Sequence, residues 1–578
     1  MGKSISCSWA HGKAALRSSA GRARLTLLAA AALTLLFATG CPPPAPPNPV
    51  PTDAQDACLL SATTFAGWFH SGSITLNGVV DPANSLNFLN PDCDFYSWSE
   101  RMFMWLTSPA PESYGGGGGI IVNSPTFYDV SPPDASGNRT FIQHSAGLIS
   151  KFPLRAAQVG SHGLPVIMDT AGRLLEVDRV PPKGPPVVVD ATGNRIEVAH
   201  ARLENGKLVL LDQAGKVINF RPSVGVTQRD QKRVRSSVIV QKFLIDGIPI
   251  FIDPSLAVIT VEQGQAGDSG VLESQTGSLV YYATMVNDVY AYYLTGQKDG
   301  VITTATPNQF PTTGGDLTSI TSFAAGHGKT FPDPNALAIE VKSSWVLASK
   351  VSNASSYVTM TATVPTYNTS NPNSWVENGQ QTVQLALVGI HVVGSTLNHP
   401  EMVWATFEHM GNTPLASYTY TSTSGSKTVS QNTVGSWLFT ANGSSGPFNV
   451  AHMSFAGPPA NTIQAATGFS ISPSDTLRTE PWGVDGSDAF HNTEVIAMNN
   501  HVLTMMASGD VRGNYFMTGA TWIAGGGNPS TGSQVGNAQM SNTTMETYQQ
   551  GSNCFDCHTD PTMLGGLSHV YGGLKPLF

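Results

Sequence analysis

At 578 residues the chain is several times the usual domain length and long enough for two or three sizeable cores. Only 12% of residues are charged, Gly (58) and Pro (39) are abundant and apolar residues make up 41%, which fits a turn-rich β protein and excludes a helical bundle or a disordered chain. Residues 1–40 hold five Lys or Arg and no acid, so the remainder sets 25 basic against 39 acidic residues, a net charge of −14. No nucleic-acid partner is expected, because neutralising phosphates requires clustered Lys and Arg, and a protein partner should present a basic face.

The N-terminus reads as a targeting segment. Lys3, Lys13, Arg17, Arg22 and Arg24 precede an apolar run from Leu25 to Phe37, too short to span a bilayer comfortably but suited to the apolar core of a signal peptide. The positive stretch is longer than such a signal needs, which points to an initiation site downstream of Met1. Phe37-Ala38-Thr39-Gly40-Cys41 resembles a bacterial lipobox, with Ala38 standing where Leu is usual. The resemblance implies that residues 1–40 are a removed lipoprotein signal peptide and that Cys41 is acylated, holding the exported chain to a membrane. Met1-Gly2 with Ser6 also fits a myristoylation pattern, but the secretory pattern is longer and more specific. Pro42 in place of Asp implies, by likeness to sorted lipoproteins, the outer membrane facing the periplasm. Residues 41–56 read as a Pro-rich tether, in which PPPAPPNPVP at 42–51 predicts a stiff polyproline II spacer with no reason to pack.

Cysteine usage fits an oxidising compartment. Of six cysteines, Cys7 leaves with the signal, Cys41 takes the lipid and Cys554 and Cys557 belong to a C-terminal motif. Cys58 and Cys93 remain, most simply as a disulfide. It would close a loop of about 35 residues and stabilise by roughly 3–4 kcal/mol in chain-entropy terms.

Residues 57–150 form a helix-containing region. DFYSWSERMFMWL at 94–106 predicts an amphipathic helix with Phe95, Trp98, Met102 and Trp105 along one core-facing side, and Gly115 to Gly119 predicts a loop tip. Residues 151–278 read as β-hairpin repeats. VIMDTAGRLLEV, VVVDATGNRIEV and LVLLDQAGKVINF place Asp169, Asp190 and Asp212 three residues before Gly172, Gly193 and Gly215. Asp opening the turn and Gly in a left-handed position suit a type I turn with a bulge, and LENGK at 203–207 supplies a further turn. One carboxylate per turn is too few for a calcium cage, and three units do not establish a propeller.

Residues 279–540 continue as a β-rich body through LVYYATMVNDVYAYYL (279–294), SSWVLASKV (343–351), SYVTMTATV (356–364) and QTVQLALVGIHVV (381–393). Glu494 to Met506 predicts a helix that stops at Gly509. The expected class is mainly β with a few helices, a β-rich α+β fold: a large sheet-rich body followed by a short helical C-terminal segment, 541–578.

The chemistry sits at Cys554-Phe-Asp-Cys557-His558. Two cysteines at i and i+3 put both sulfurs on one helical face, where they can bond the two vinyl groups of one haem, and the His after the second Cys points its imidazole at the iron. A redox dithiol would more naturally follow a strand of a thioredoxin-like unit, and a zinc site lacks a second cysteine pair. One covalent c-type haem is therefore expected, held by Cys554 and Cys557 with His558 as axial ligand. Thr543 and Glu546 have capping-box spacing and Gly551 suits a helix stop, so a short helix should lead into the haem turn with Met545 and Tyr548 near the porphyrin. Only 20 residues follow His558, so the β body must cover much of the haem. The distal ligand is open among His391, His409, Met545, Met563 and His569, each of which also reads as an ordinary structural His or core Met.

SLVYYATMVNDVYAYY, LVGIHVV, VWATFEHMGNTP (403–414) and NTTMETYQQGSNCFDCH resemble a group of uncharacterised bacterial single-haem cytochrome c-family lipoproteins that end in a similar haem segment. The likeness is scattered over residues 57–578 and strongest at the C-terminus. It implies haem binding and electron transfer and carries no substrate or established activity across. By position it transfers only Cys554, Cys557 and His558, and it makes His391 and His409 the preferred candidates for haem-pocket residues.

Two functions follow as expectations. One is a membrane-tethered electron carrier serving a periplasmic redox partner, favoured by a single haem, a tether and the lack of a visible acid–base cluster. The other is a haem-dependent oxidoreductase or peroxidase with a substrate pocket in the β body, favoured by the size of that body. A non-redox interaction module with an ancillary haem is a third. The sequence holds no serine-nucleophile elbow, P-loop, zincin motif or dinucleotide fingerprint.

Overall fold

One antiparallel sheet organises the chain. Its strands are β1 (Phe127–Val130), β2 (Phe141–Gln143), β3 (Tyr281–Asn287), β4 (Ile339–Leu347), β5 (Thr359–Asn368), β6 (Ser374–Thr396), β7 (His399–His409), β8 (Met453–Ala456), β9 (Thr462–Ala465), β10 (Tyr515–Ile523) and β11 (Gln534–Gly536). The path runs β2-β1-β3-β4-β6-β7-β10-β11, with β5 and β9 also paired to β6 and β8 to β9. The fold is mainly β with a few helices, as composition predicts. The structure, a computed structural model, describes the chain from residue 48 except residues 88–91, 116–118, 133–137, 146–148, 155–157, 160–164, 169–173, 178–183, 205–206, 223–238, 246–247, 260–269, 306–307, 457–460, 467, 528–532, 552 and 559–563. The expected signal peptide, Cys41, the Asp169 turn and Met563 lie outside the described residues.

Strand β6 shows why the sheet has two covered faces. Its first half is polar and exposed, whereas Leu385–Ser395 is an almost continuous buried run, the pattern of a strand covered on both sides. On one face lie helix α1 (Asp92–Leu106) and helix α4 (Ala489–Met505), with α2 (Asp288–Lys298) and α3 (Gly314–Gly326) elsewhere in the fold. Phe95 of α1 stacks on Trp522 of β10 at 3.8 Å, and Phe103 stacks on Phe407 of β7 at 4.4 Å. Among the described residues no helix is long and apolar enough to cross a membrane.

Several expectations need correction. Helix α1 is not one-sided: Tyr96, Ser99, Glu100, Phe103 and Met104 are buried along with Phe95, Trp98, Met102 and Trp105. It meets the sheet on one side and α4 on another, so more than one of its sides is covered by protein. The segment 279–294 is only half strand. The Asn287 side chain accepts from the Tyr290 N–H at 3.0 Å, which caps α2 and ends β3. The tether is not free along its whole length. Val50 and Ala54 are buried, the Tyr418 hydroxyl donates to the Pro49 carbonyl at 3.1 Å, and Asp53 meets Lys427 and Tyr420. Two apolar side chains and one paired carboxylate dock a Pro-containing stretch that has few N–H donors to satisfy. Cys58 and Cys93 form a disulfide that ties this N-terminal region to the start of α1.

The repeat region contains hairpins 165–168/174–177, 187–189/195–197, 200–204/207–211 and 239–245/248–252. The Asp190 carboxylate accepts from the N–H groups of Thr192 and Asn194, with Gly193 at φ +93. Asp212 does the same with Ala214 and Lys216, with Gly215 at φ +75. A further copy escaped the sequence reading. Asp253 accepts from Ser255 and Ala257, but Leu256 at φ +64 stands where glycine marks the other turns.

Candidate functional site

Side-chain alternation decides what meets the C-terminal segment. On the sheet face away from α1, β4 presents Glu340, Lys342 and Ser344, β6 presents Gly389, His391 and Val393, and β7 presents Trp404, Thr406 and Glu408. Their registers align Glu340–Val393–Trp404, Lys342–His391–Thr406 and Ser344–Gly389–Glu408. The described residues of 541–551, 553–558 and 564–571 lie over these three rows.

The Ser344–Gly389–Glu408 row takes residues 542–544. Thr543 donates from its N–H and its hydroxyl to Glu408, each at 2.5 Å, and Thr544 meets the Ser344 hydroxyl at 2.6 Å. Gly389 permits this approach: a Cβ there would stand 2.6 Å from both the Asn542 and Thr544 side-chain oxygens. Glu408 is buried and paired with the equally buried Arg478. The expected capping box is displaced. Asn542, not Thr543, accepts from Thr544, while Glu546 accepts from the Asn542 N–H at 3.0 Å. Thr543 is held by Glu408, so the segment makes a turn and a 3-10 helix at Thr547–Gln549 instead of an α-helix.

Glu546 is the hub of the second row. It accepts from His391 Nε2 at 2.9 Å and meets Lys342 Nζ at 3.3 Å, and His391 Nδ1 lies 2.7 Å from the Thr406 hydroxyl. The sequence reading saw no acid–base cluster because these groups come from four separate segments.

The Glu340–Val393–Trp404 row carries the motif. Cys554 and Cys557 lie on one helical turn, closed by the His558 N–H to the Cys554 carbonyl at 3.0 Å. Phe555 is fully buried in an apolar cluster with Leu564, Leu567 and Val570. His558 Nδ1 donates to the Leu567 carbonyl at 2.9 Å, which leaves Nε2 with the lone pair. Its ring lies 4.3 Å from Trp404 and 4.1 Å from His569. Burial first, and then His569, push the His558 imidazole well below the usual histidine range, so it is neutral. A neutral imidazole with one nitrogen tied to a carbonyl is the form that ligates a metal. This donor set and its apolar surroundings fit a c-type haem, with Cys554 and Cys557 to attach it and His558 to hold its iron.

The distal candidates separate. His569 stacks on His558, and His391 is within electrostatic reach of it. His409 lies one residue out of phase with Glu408. It stacks on Tyr357 at 3.7 Å, accepts from the Gly411 N–H and meets the Ser356 carbonyl, and burial holds it at about 3. Met545 is buried in a different cluster with Val346, Ala386 and Val388, and the Tyr548 hydroxyl donates to the Val271 carbonyl. Trp404, Lys342 and Glu340 were not foreseen, although period-two reading of VWATFEH would have put Trp404 on the same face as Glu408. Among the described residues, Cys58, Cys93 and Glu494 lie close enough to share an ion, but the two sulfurs are bonded to each other.

Comparison with known proteins finds no matching family model, no matching curated protein and no matching solved structure.

Proposed function

We propose that the protein is an exported, membrane-tethered, single-haem c-type cytochrome that passes electrons singly between periplasmic partners. The observation that carries this reading is the motif turn itself: Cys554 and Cys557 on one turn, followed by a neutral His558 whose Nδ1 is held by the Leu567 carbonyl. The bound haem supplies one-electron redox chemistry. Cys554 and Cys557 would keep it attached and His558 would hold the iron, with Trp404 packed against His558 and Phe555 against Trp404. Acylated Cys41 would anchor the chain, at the outer membrane facing the periplasm, and the net charge of −14 beyond residue 40 favours a partner with a basic face. Haem staining after denaturing electrophoresis tests the assignment. The expected result is a stained band that Cys554→Ala/Cys557→Ala abolishes, and a stained double variant overturns it.

A second reading, a haem-dependent oxidoreductase or peroxidase, gains support from the Glu546–His391 pair. A carboxylate that polarises an imidazole near the iron ligand is an arrangement able to move protons. Peroxide turnover that His391→Ala removes, while staining persists, would favour it.

A further inference from the structure

A glutamate stands two strands from the ring that packs on His558. Glu340 is in register with Val393, and Val393 with Trp404. Two strand spacings make that separation about 10 Å. The Glu340 carboxylate accepts from the Ser568 hydroxyl at 2.5 Å, and the same hydroxyl lies 2.7 Å from the Tyr290 hydroxyl. Ser568 directly follows Leu567, whose carbonyl orients His558. One side-chain hydrogen bond therefore joins Glu340 to the loop that fixes the iron ligand.

The surrounding charges leave this carboxyl poised. Lys342, on the same strand and face, is engaged by Glu546, as is His391 of β6. Arg139 favours the carboxylate but makes no ion pair with it among the described residues, and Tyr290 of α2 faces it from the other side. From the C-terminal segment, Ser568 donates to it and His569 is the next residue along. Burial outweighs these influences and raises Glu340 to about 7. Glu340 as a residue keeps part of its surface in solvent.

We propose that Glu340 is a redox-linked proton site, taking up one proton from solvent as one electron reaches the centre held by His558 and releasing it as the electron leaves. The proposal rests on the cytochrome reading. The electron comes from the periplasmic redox partner, the proton forms an O–H bond on the Glu340 carboxylate, and the charge around His558 stays balanced. Unit charges about 12 Å apart at an effective dielectric of about 20 change each other's affinity roughly tenfold, the scale expected of a carboxyl bonded to the residue that follows Leu567.

The test uses the full-length, haem-loaded protein. Spectroelectrochemistry across pH is expected to show the reduction equilibrium constant falling about tenfold as pH rises through neutrality, and Glu340→Gln is expected to remove that fall. A constant that is flat with pH, or one whose fall survives in Glu340→Gln, overturns the proposal while leaving the cytochrome reading standing. Infrared spectroscopy of the haem-free protein gives a second readout. A protonated-carboxyl band that titrates near neutral pH and is missing in Glu340→Gln supports the site, and its absence from the parent overturns it. A chain that never carries covalent haem overturns the cytochrome reading and this proposal with it.

Discussion

The imidazole of His569 lies face to face with that of His558, ring centroids 4.1 Å apart and planes 11° from parallel. Two imidazoles that ligate one iron from opposite sides point their nitrogens at each other across the macrocycle, and a face-to-face stack does not. His569 therefore braces the His558 ring in this arrangement. His391 is committed to Glu546 and Thr406, and His409 and Met545 lie in other surroundings. Each described candidate thus contacts other groups of the chain. The reduced protein is expected to bind carbon monoxide, and His569→Ala to keep both its covalent haem and its coordination spectrum. Loss of a six-coordinate spectrum in His569→Ala would show that this ring reaches the iron.

The Glu408–Arg478 pair seats the segment that precedes the motif. Both side chains are 1% exposed, Glu408 accepts two bonds from Thr543, and Arg478 donates to the Ser541 carbonyl at 3.2 Å. Arg478→Met leaves a buried carboxylate without its cation, a loss that typically costs about 3–5 kcal/mol. Urea unfolding should show a decrease of that size. Arg478→Met/Glu408→Gln should recover part of it, because the uncompensated charge is gone.

How much of this was legible depended on whether the signal was local. The helical turn at Cys554–Cys557, the turns at Asp190 and Asp212 and the helix around Glu494–Met506 are each written in a short window, and the last appears as Ala489–Met505 because Asp488 caps it. Tyr281–Lys298 hides its strand-to-helix change, since aromatic residues suit either element and only Asn287 marks the boundary. The Asp253 turn was invisible because tertiary packing holds Leu256 at a positive φ that sequence rules reserve for Gly. The cluster around Glu546 could not be read at all. Its members lie at 342, 391, 406 and 546, and only the register of three strands brings them together.

Docking of residues 48–56 limits how far the body can stand from a lipid on Cys41. Six residues, 42–47, separate Cys41 from Asn48, a reach of at most about 25 Å when fully extended. On the proposed reading, in which a lipid on Cys41 would supply the anchor, Cys41→Ser is expected to move the protein from the membrane to the soluble periplasmic fraction. Fractionation alongside fatty-acid labelling checks this. Equal labelling of parent and variant would sink the assignment.

Stability should pass through a maximum in mildly acidic to neutral solution, because buried acids and buried histidines act in opposite directions. Burial raises Glu100 to about 8 and Asp288 to about 7, the latter despite Lys329 at 3.6 Å. Between the ordinary carboxyl range and those values the folded chain binds more protons than the unfolded one, so stability falls as pH rises through that window. Burial lowers His409 to about 3 and also lowers His558. Between those values and the ordinary histidine range the unfolded chain binds more protons, so stability falls as pH drops. Urea midpoints measured across pH should trace both limbs. Glu100→Gln should flatten the alkaline limb and leave the acid limb in place, and His409→Gln should do the reverse. An alkaline limb unchanged in Glu100→Gln would mean that this carboxyl is not the group that must ionise.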